Sequence, residues 1–193
     1  MARFQAADYE HKRGAITLQA AKLFALKGFA GASLSELATA CNTSKSLIYH
    51  YYGSKEDILY DLMRTHIDQL LAVIERVGKS PSQPEIKFRE MARELLDHYV
   101  DAADSQKVLL YELESLPKNQ RKEIVDKQRY IIDFAQNLLA RTATYQTTDR
   151  DKLRVQVMLF FGMLNWTHTW FKSDGTVDRH AVADEASELV LKI

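Results

Sequence analysis

Four polar side chains, Lys45, Ser46, Tyr49 and His50, are spaced so that they can share the outer and leading surface of one short helix. Cationic and hydroxyl groups donate hydrogen bonds to phosphate oxygens, and side chains in the first turns of a recognition helix read base edges in the major groove of DNA. This face therefore suits a DNA groove. Pattern alone also allows an ordinary helical hairpin with half-buried tyrosines.

Two capped helices and a turn are predicted to position that face. Ser33 can cap a first short helix, with Glu36 at the reciprocal position of an S-x-x-E capping box. Asn42 falls where the chain must turn, and Asn tolerates the left-handed backbone that a tight turn between helices needs. Ser44 can cap the second helix. The stretch is therefore predicted to form a helix-turn-helix.

The second helix is predicted over residues 45–52. We expect it to bury Leu47, together with Ile48 or Tyr51.

The charge distribution favours a polyanionic partner at one end of the chain. The 193 residues have no net charge, but residues 1–55 hold seven Lys and Arg against three Asp and Glu, a net charge of +4. The remainder is correspondingly acidic. A basic segment that contains the helix-turn-helix is what phosphate attraction requires.

The composition indicates an all-α globular protein. Seven Gly and three Pro favour long helices, and 46% apolar with 27% charged residues argues against disorder and membrane classes. The amino-terminal residues lack an apolar signal core, and the single cysteine, Cys41, cannot form an internal disulfide. We therefore expect a cytoplasmic protein without a membrane segment, in which Cys41 is a small residue beside the turn.

Apolar periodicity and turn residues predict further helices around the helix-turn-helix, about nine in all. Ser54 caps the longest of these, and Gly78–Pro84 forms a connector. The predicted ranges are 10–27, 54–77, 85–103, 108–116, 118–144, 149–172 and 178–193. Gly28 is predicted to stop the first of these helices. In the helix at 85–103 the residues expected to face inward are Ile86, Met91, Leu95, Leu96 and Tyr99.

The predicted helix at 149–172 has two apolar stripes. Val155, Leu159, Met163, Trp166 and Trp170 form one, and Val157, Phe160, Leu164 and Phe171 form the other. A helix that is apolar on two faces needs two partners, its own core and a second surface.

An apolar pocket is predicted in the second part of the chain, where aromatic and sulfur-containing residues are frequent. Each of these residues can equally be plain core. The candidates for contact with a small molecule are Tyr99, Tyr111, Met158, Phe161, Asn165, Trp166 and Trp170.

No sequence motif supports an enzyme. Nucleotide-binding, hydrolase and zinc-protease patterns are absent from the sequence, so we predict no catalytic residue, cofactor or metal. An alternative class is a helical enzyme that uses Glu94, His98 or Glu112, but it lacks a nucleophile and base motif. A protein-binding adaptor is the third class, and it leaves the basic helix-turn-helix unexplained.

The run A-T-A-C-N-T-S-K-S-L-I-Y-H-Y-Y-G-S-K-E-D-I-L resembles the signature of TetR-family transcriptional repressors, with Asn42 and Thr43 in place of the usual Gly and Val. The resemblance implies a three-helix DNA-binding domain at residues 1–54, and an effector-binding and dimerisation domain at 55–193. It implies a homodimer through the two C-terminal helices on a pseudo-palindromic operator. The implied DNA contacts are Ser33, Lys45, Ser46, Tyr49, His50 and Lys55.

The run F-G-M-L-N-W-T-H-T-W-F-K-S-D-G resembles the branch of this family that controls phenylacetic acid degradation. That resemblance implies an acyl-CoA inducer such as phenylacetyl-CoA. The alternatives are regulators of fatty-acid, steroid or other catabolism, or of efflux, with another hydrophobic effector. The cations available for CoA phosphates are Lys87, Arg89, Arg93, Lys107, Arg121 and Lys122.

Overall fold

The computed structural model describes residues 2–145 and 148–192, with side chains from residue 9 onward. Within these ranges all regular structure is helical, which confirms the all-α prediction. None of the helices there is both long enough and apolar enough to cross a membrane. The helices are α1 (Ala2–Gly31), α2 (Leu34–Ala40), α3 (Lys45–Tyr51), α4 (Lys55–Lys79), α5 (Pro84–Asp101), α6 (Ala103–Tyr111), α7 (Lys118–Ala140), α8 (Arg150–Trp166) and α9 (Arg179–Leu191). The last helix was predicted to reach Ile193, which lies outside the described residues.

Helix α1 is interrupted at Gly28, whose φ of 75° is not helical. A residue with a Cβ rarely adopts this conformation, so glycine is needed here. The predicted break at this glycine is confirmed. The helix begins earlier than predicted, at Ala2, and a last turn follows the break as far as Gly31.

The caps predicted for α2 and α3 are present. The Ser33 hydroxyl accepts from the Glu36 amide, and the Glu36 carboxylate accepts from the Ser33 amide, which completes the capping box. The Ser44 hydroxyl accepts from the amide of Leu47. Between the two helices, Asn42 has a φ of 50°, the left-handed geometry predicted for the turn. The helix-turn-helix is therefore confirmed.

The chain forms two compact units, and the first comprises Met1–His66 and Asp104–Ile124. Its core contains fully buried side chains from the first four helices, including Phe24, Leu37, Ile48 and Ile58. Helix α4 is capped as predicted, because the Ser54 hydroxyl accepts from the Asp57 amide. This unit holds α3 against α1, α2 and the first part of α4.

The second unit comprises Ile67–Ala103 and Val125–Ile193. Its core lies where α5 packs against α8 and α9, and the rings of Phe88 and Phe160 are 4.6 Å apart there. Polar side chains at four-residue spacing along α5 contact α9 at the exposed edge of the two helices. Three of these contacts are ion pairs, Arg89 with Glu188, Arg93 with Asp184 and Asp101 with Arg179, and the fourth is a hydrogen bond between Asp97 and His180.

Two details of packing in the second unit correct the predictions. Ile86 was predicted to face inward, but it is 49% exposed and Phe88 is buried instead. The buried stripe of α5 runs through Phe88, Met91 and Leu95, and Ile86 falls off it. Helix α8 ends at Trp166 rather than near residue 172, because a 3₁₀ turn, Thr167–Thr169, follows it.

Candidate nucleic-acid interface

Helix α3 presents an exposed face of mixed chemistry. The α3 face consists of Lys45, Ser46, Leu47, Tyr49 and His50, all of which are exposed. On the opposite side Ile48 is fully buried, and Tyr52, the residue that ends the helix, is 5% exposed. The predicted outward direction of the four polar side chains is confirmed.

The predicted burial of Leu47 is wrong. Leu47 is 40% exposed, whereas Ile48 and Tyr52 are buried. With Ser44 as the cap, the inward side of the helix holds the positions four and eight residues later, which are Ile48 and Tyr52. Leu47 lies about 100° around the helix from them. The capping residue was the signal from which this register could have been found.

The polar groups of Ser33 and Lys55 are engaged within the first unit. The Lys55 ammonium donates to the carbonyl oxygens of Phe29 and Ala32, at 2.7 and 2.9 Å, and lies 4.2 Å from the centroid of the Phe29 ring. The Ser33 hydroxyl belongs to the capping box. Both residues close helix ends beside α3, and their phosphate contacts stay predictions.

An ion pair fixes the start of α2. The ammonium of Lys27 binds the Glu36 carboxylate, which also accepts from the Ser33 amide and hydroxyl. These hydrogen bonds, chiefly the one from Lys27, lower the pKa of Glu36 to about 2. The carboxylate therefore stays ionised at the amino end of α2, where a negative charge is favoured by the helix dipole.

The seven effector candidates do not share one environment. Tyr111 lies in the first unit and is 58% exposed, and the other six lie in the second unit. Within the second unit Tyr99 and Phe161 are buried, and Asn165 is half-buried. Met158, Trp166 and Trp170 are exposed.

The two tryptophans line an open apolar groove of about 460 Å³ between the end of α8 and α9. The other residues of this groove are Met163, Val177, Ala181, Val182, Glu185, Ala186 and Leu189.

The groove continues the exposed stripe of α8. Val155 and Leu159 on that stripe are 55% and 58% exposed, while Val157, Phe160 and Leu164 on the other stripe are fully buried. Within α8 the two stripes predicted from the sequence are confirmed, and one of them is left exposed in the second unit. Trp170 and Phe171, which were predicted to extend the stripes, lie beyond the end of the helix. An apolar surface of this kind marks an interaction site.

Several cations considered for CoA phosphates have partners within their own unit. Arg89 and Arg93 pair with the carboxylates of α9, and the Lys87 ammonium donates to the carbonyl oxygen of Gly78. In the first unit, Arg121 pairs with Glu114.

The amino-acid sequence matches the profiles of two parts of one protein family. Residues 16–62 match the family described as bacterial regulatory proteins, tetR family. Residues 81–193 match the family described as tetracyclin repressor-like, C-terminal domain.

A relative and two solved structures are similar to this chain. YuxN, an uncharacterized HTH-type transcriptional regulator of Bacillus subtilis, is 27% identical over 72% of this chain, which spans only 50% of the length of YuxN. The crystal structure of a TetR-family transcriptional regulator from Bordetella parapertussis is 37% identical, with a TM-score of 0.88 and 93% of each chain covered.

The second structure is that of AibR in complex with isovaleryl coenzyme A and operator DNA. It is 25% identical, with a TM-score of 0.81, and 92% of this chain and 97% of AibR are covered. The C-terminal profile spans more than half of the chain, and the N-terminal profile contains the helices that carry the α3 face. The chain therefore belongs to the TetR family of DNA-binding bacterial transcriptional regulators.

Proposed function

We propose that this chain is a homodimeric, cytoplasmic repressor that binds a pseudo-palindromic operator through the α3 face and is released by an acyl-CoA thioester. In this proposal residues 1–54 bind DNA, and residues 55–193 bind the effector and dimerise. The observation that carries it is the α3 face itself. Cationic, hydroxyl, aromatic and apolar groups project from one side of a short helix whose other side is anchored in a core.

Each group on the α3 face has a partner on duplex DNA. Lys45, at the start of the helix, suits a phosphate or a guanine edge, and the Ser46 hydroxyl suits a phosphate. The exposed Leu47 side chain suits the methyl group of thymine. Tyr49 and His50 can donate to phosphates, and they can either donate to or accept from base edges. If the chain were a protein-binding adaptor or an enzyme, this combination of exposed groups would have no role.

The DNA-binding part of the proposal is tested with the duplex that the wild-type protein selects from a random-sequence library. We expect Lys45→Ala to weaken binding to that duplex and to reduce the slope of log K against log salt concentration by about one, if Lys45 contacts phosphate. If Lys45 reads a base, the sequence preference changes at one position instead. Lys152→Ala in α8, where the lysine is also exposed, is the matched control. Wild-type protein that selects no duplex would contradict the proposal.

A second copy is the proposed occupant of the exposed stripe of α8 and the groove beside α9. A dimer places two α3 helices about one helical turn of DNA apart, roughly 34 Å or a small multiple of it, which is what a pseudo-palindromic operator requires. The apolar composition of this surface supports dimerisation rather than contact with a charged partner.

The effector class is supported by two resemblances. AibR is known with isovaleryl coenzyme A bound, and the sequence around Asn165 and Trp166 resembles the branch of the family that controls phenylacetic acid degradation. Buried Tyr99 and Phe161 in the second unit are the aromatic groups proposed to contact the acyl part of the thioester. Another hydrophobic effector, from fatty-acid or steroid catabolism or a substrate of efflux, is the alternative.

Calorimetric titration of the full chain distinguishes these effectors. Phenylacetyl-CoA, isovaleryl-CoA and palmitoyl-CoA are compared with free CoA, which controls for binding through the phosphates alone. We expect one thioester to bind at least about tenfold more tightly than free CoA, a difference of about 1.4 kcal/mol. Equal affinity for all four would contradict recognition of the acyl group.

A further inference from the structure

A buried carboxylate lies beside the end of the recognition helix. Asp61 of α4 is 9% exposed, next to the buried Leu62. One oxygen accepts from the Tyr52 hydroxyl at 2.6 Å and pairs with the Arg13 guanidinium at 2.7 Å. The other oxygen accepts from Arg64 at 3.0 Å. These contacts satisfy a charge that would be costly to bury alone.

The same contacts join three helices. Arg13 lies on α1, Tyr52 ends α3, and Asp61 lies on α4. The Arg13 guanidinium also donates to the Tyr52 hydroxyl at 3.4 Å and lies 5.2 Å from the centroid of its ring. The pKa of the Tyr52 hydroxyl is raised by its burial and by the neighbouring Asp61, so the hydroxyl keeps its proton and remains a donor.

A second contact from α1 reaches the same end of α3. Tyr9 lies one helical turn before Arg13, and its ring is 4.8 Å from that of Tyr51 and 6.5 Å from that of His50. One side of α1 thus holds the last residues of α3 by a ring cluster and by the hydrogen bond from Arg13 to Tyr52.

A short helix depends strongly on such contacts. Helix α3 has seven residues, of which only Ile48 is fully buried. Burial of Ile48 alone restrains sliding and rotation of α3 less than burial of Ile48 together with a second anchor at the end of the helix does. Side chains that read bases must be held to within about 0.5 Å and 10–20° of the productive geometry.

We propose that Asp61 and Arg13 are positioning residues for DNA recognition, which act through the Tyr52 hydroxyl to fix the C-terminal end of α3 so that the α3 face meets the groove in one orientation. The proposal rests on the proposed function, because it takes the α3 face as the part that touches DNA. Neither Asp61 nor Arg13 is assigned a contact with the nucleic acid.

The sharpest test is Asp61→Asn, because electrostatics and positioning predict opposite results. Removal of a negative charge from the DNA-binding unit strengthens attraction for phosphates, so electrostatics alone predicts tighter binding. Loss of the anchor predicts binding that is weaker by about tenfold, with an unchanged salt slope because no cation is lost. The probe is the duplex selected by the wild-type protein, and a duplex of the same base composition in scrambled order is the reference.

Glu56→Gln is the matched control. It removes one negative charge from the first turn of α4, and the structure records no ion pair for Glu56 with any described residue. We expect this control to bind the duplex at least as tightly as the wild type does.

Tyr52→Phe is the second variant, and it decides the question if Asp61→Asn does not fold. It removes one oxygen and keeps the buried ring, and we expect binding to weaken by about threefold. The effects of Tyr52→Phe and Asp61→Asn should be less than additive, because both act on the hydrogen bond between these residues: Tyr52→Phe removes the donor, and Asp61→Asn replaces the charged acceptor with a neutral amide oxygen. Arg13→Gln should weaken binding with an unchanged salt slope, and a slope reduced by about one would instead mean that Arg13 contacts phosphate.

Hydrogen exchange in the free protein gives a measurement that does not depend on DNA. The Tyr52 amide donates to the carbonyl oxygen of Ile48 in the last turn of α3. We expect this amide to exchange faster in Asp61→Asn, with unchanged protection of the α5 amides in the second unit.

This inference alone is overturned if the wild type binds the duplex, a folded Asp61→Asn binds it as tightly, and hydrogen exchange at the Tyr52 amide is unchanged. Failure of the wild type to bind any duplex would overturn the proposed function and this inference with it.

Discussion

At the scale of single residues, three side chains fix the backbone conformation at the two ends of α2. Asn42 adopts the left-handed backbone between α2 and α3, and Ser33 with Glu36 closes the start of α2. Each acts on the backbone within a few residues of its own position. Their effects can therefore be measured separately from DNA binding.

Substitution of Asn42 tests the turn. Asn42→Ala should lower the free energy of unfolding by about 1 kcal/mol, because alanine pays the full Cβ penalty in the left-handed region. Asn42→Gly is the matched control, and we expect it to be neutral or slightly stabilising, since glycine adopts φ of 50° without strain. Urea unfolding of both variants measures the difference. Equal stability of the two would show that the turn relaxes to another conformation.

Glu36 should contribute to the pH dependence of stability. Its pKa is about 2 in the folded protein against 4.5 ordinarily, chiefly because Lys27 donates to it. A carboxyl whose pKa is lowered by folding stabilises the fold above its ordinary pKa and loses this contribution as pH falls toward the folded value. We expect wild type to lose more stability than Glu36→Gln between about pH 5 and pH 2.

The measurement is the free energy of unfolding across that range for both proteins. Because Glu36 is exposed to solvent and its interactions are screened, the difference should also shrink in high salt. Glu56→Gln controls for the loss of a carboxyl elsewhere in the same unit. Parallel curves for wild type and Glu36→Gln would contradict the assignment.

At the scale of elements, α8 shows how one helix serves two surfaces. Its buried stripe, Val157, Phe160 and Leu164, completes the core of the second unit, while Val155 and Leu159 remain exposed. The same helix therefore offers substitutions that separate folding from association.

Leu159→Asp should dissociate the proposed dimer while leaving the protomer folded. Leu159 is 58% exposed within the chain, so a charge there costs the protomer little, but it would be buried without a partner between two copies. Sedimentation equilibrium and circular dichroism measure association and folding. Operator affinity should fall together with dimerisation, because each protomer supplies one α3 face.

Two variants control this prediction. Tyr130→Asp changes a side chain of α7 that is 56% exposed, and we expect it to remain dimeric. Val157→Asp puts an unpaired charge into the core and should lower stability by more than about 3 kcal/mol. Leu159→Asp that stays dimeric would place the interface elsewhere.

At the scale of the whole molecule, the proposed regulation is a coupling between two ligands. Helices α4 and α7 each contribute one part to each compact unit, and α4 also begins directly after α3, so α4 is the element we expect to carry that coupling. An effector can release DNA only if it has different affinities for the free and the DNA-bound protein.

We expect the coupling to be reciprocal. If the bound thioester weakens operator binding ~100-fold, which corresponds to about 2.7 kcal/mol, the operator must weaken thioester binding by the same factor. Titration of the thioester into the protein with and without the selected duplex measures this factor directly. The scrambled duplex is the control, and it should leave thioester affinity unchanged. Equal thioester affinity with and without the operator would exclude release by this mechanism.

Features that depend on near neighbours along the chain could be predicted from the amino-acid sequence. The capping box of Ser33 and Glu36, the cap at Ser44 and the left-handed turn at Asn42 all involve groups within four residues of each other. The two stripes of α8 follow from the 3.6-residue period alone. Such features were predictable because no distant part of the chain is needed to form them.

Where the amino-acid sequence allows several equivalent local arrangements, packing between the helices selects one of them. Periodicity could not say which stripe of α8 is buried, because that depends on packing against α5 and α9. The family resemblance placed Lys55 among the DNA contacts, and only the structure shows that its ammonium also binds carbonyl groups more than 20 residues earlier in the chain. Asp61 carried no signal at all, since its partners Arg13 and Tyr52 lie on other helices. Long-range contacts of this kind form only when the helices pack, so their geometry is a property of the folded chain.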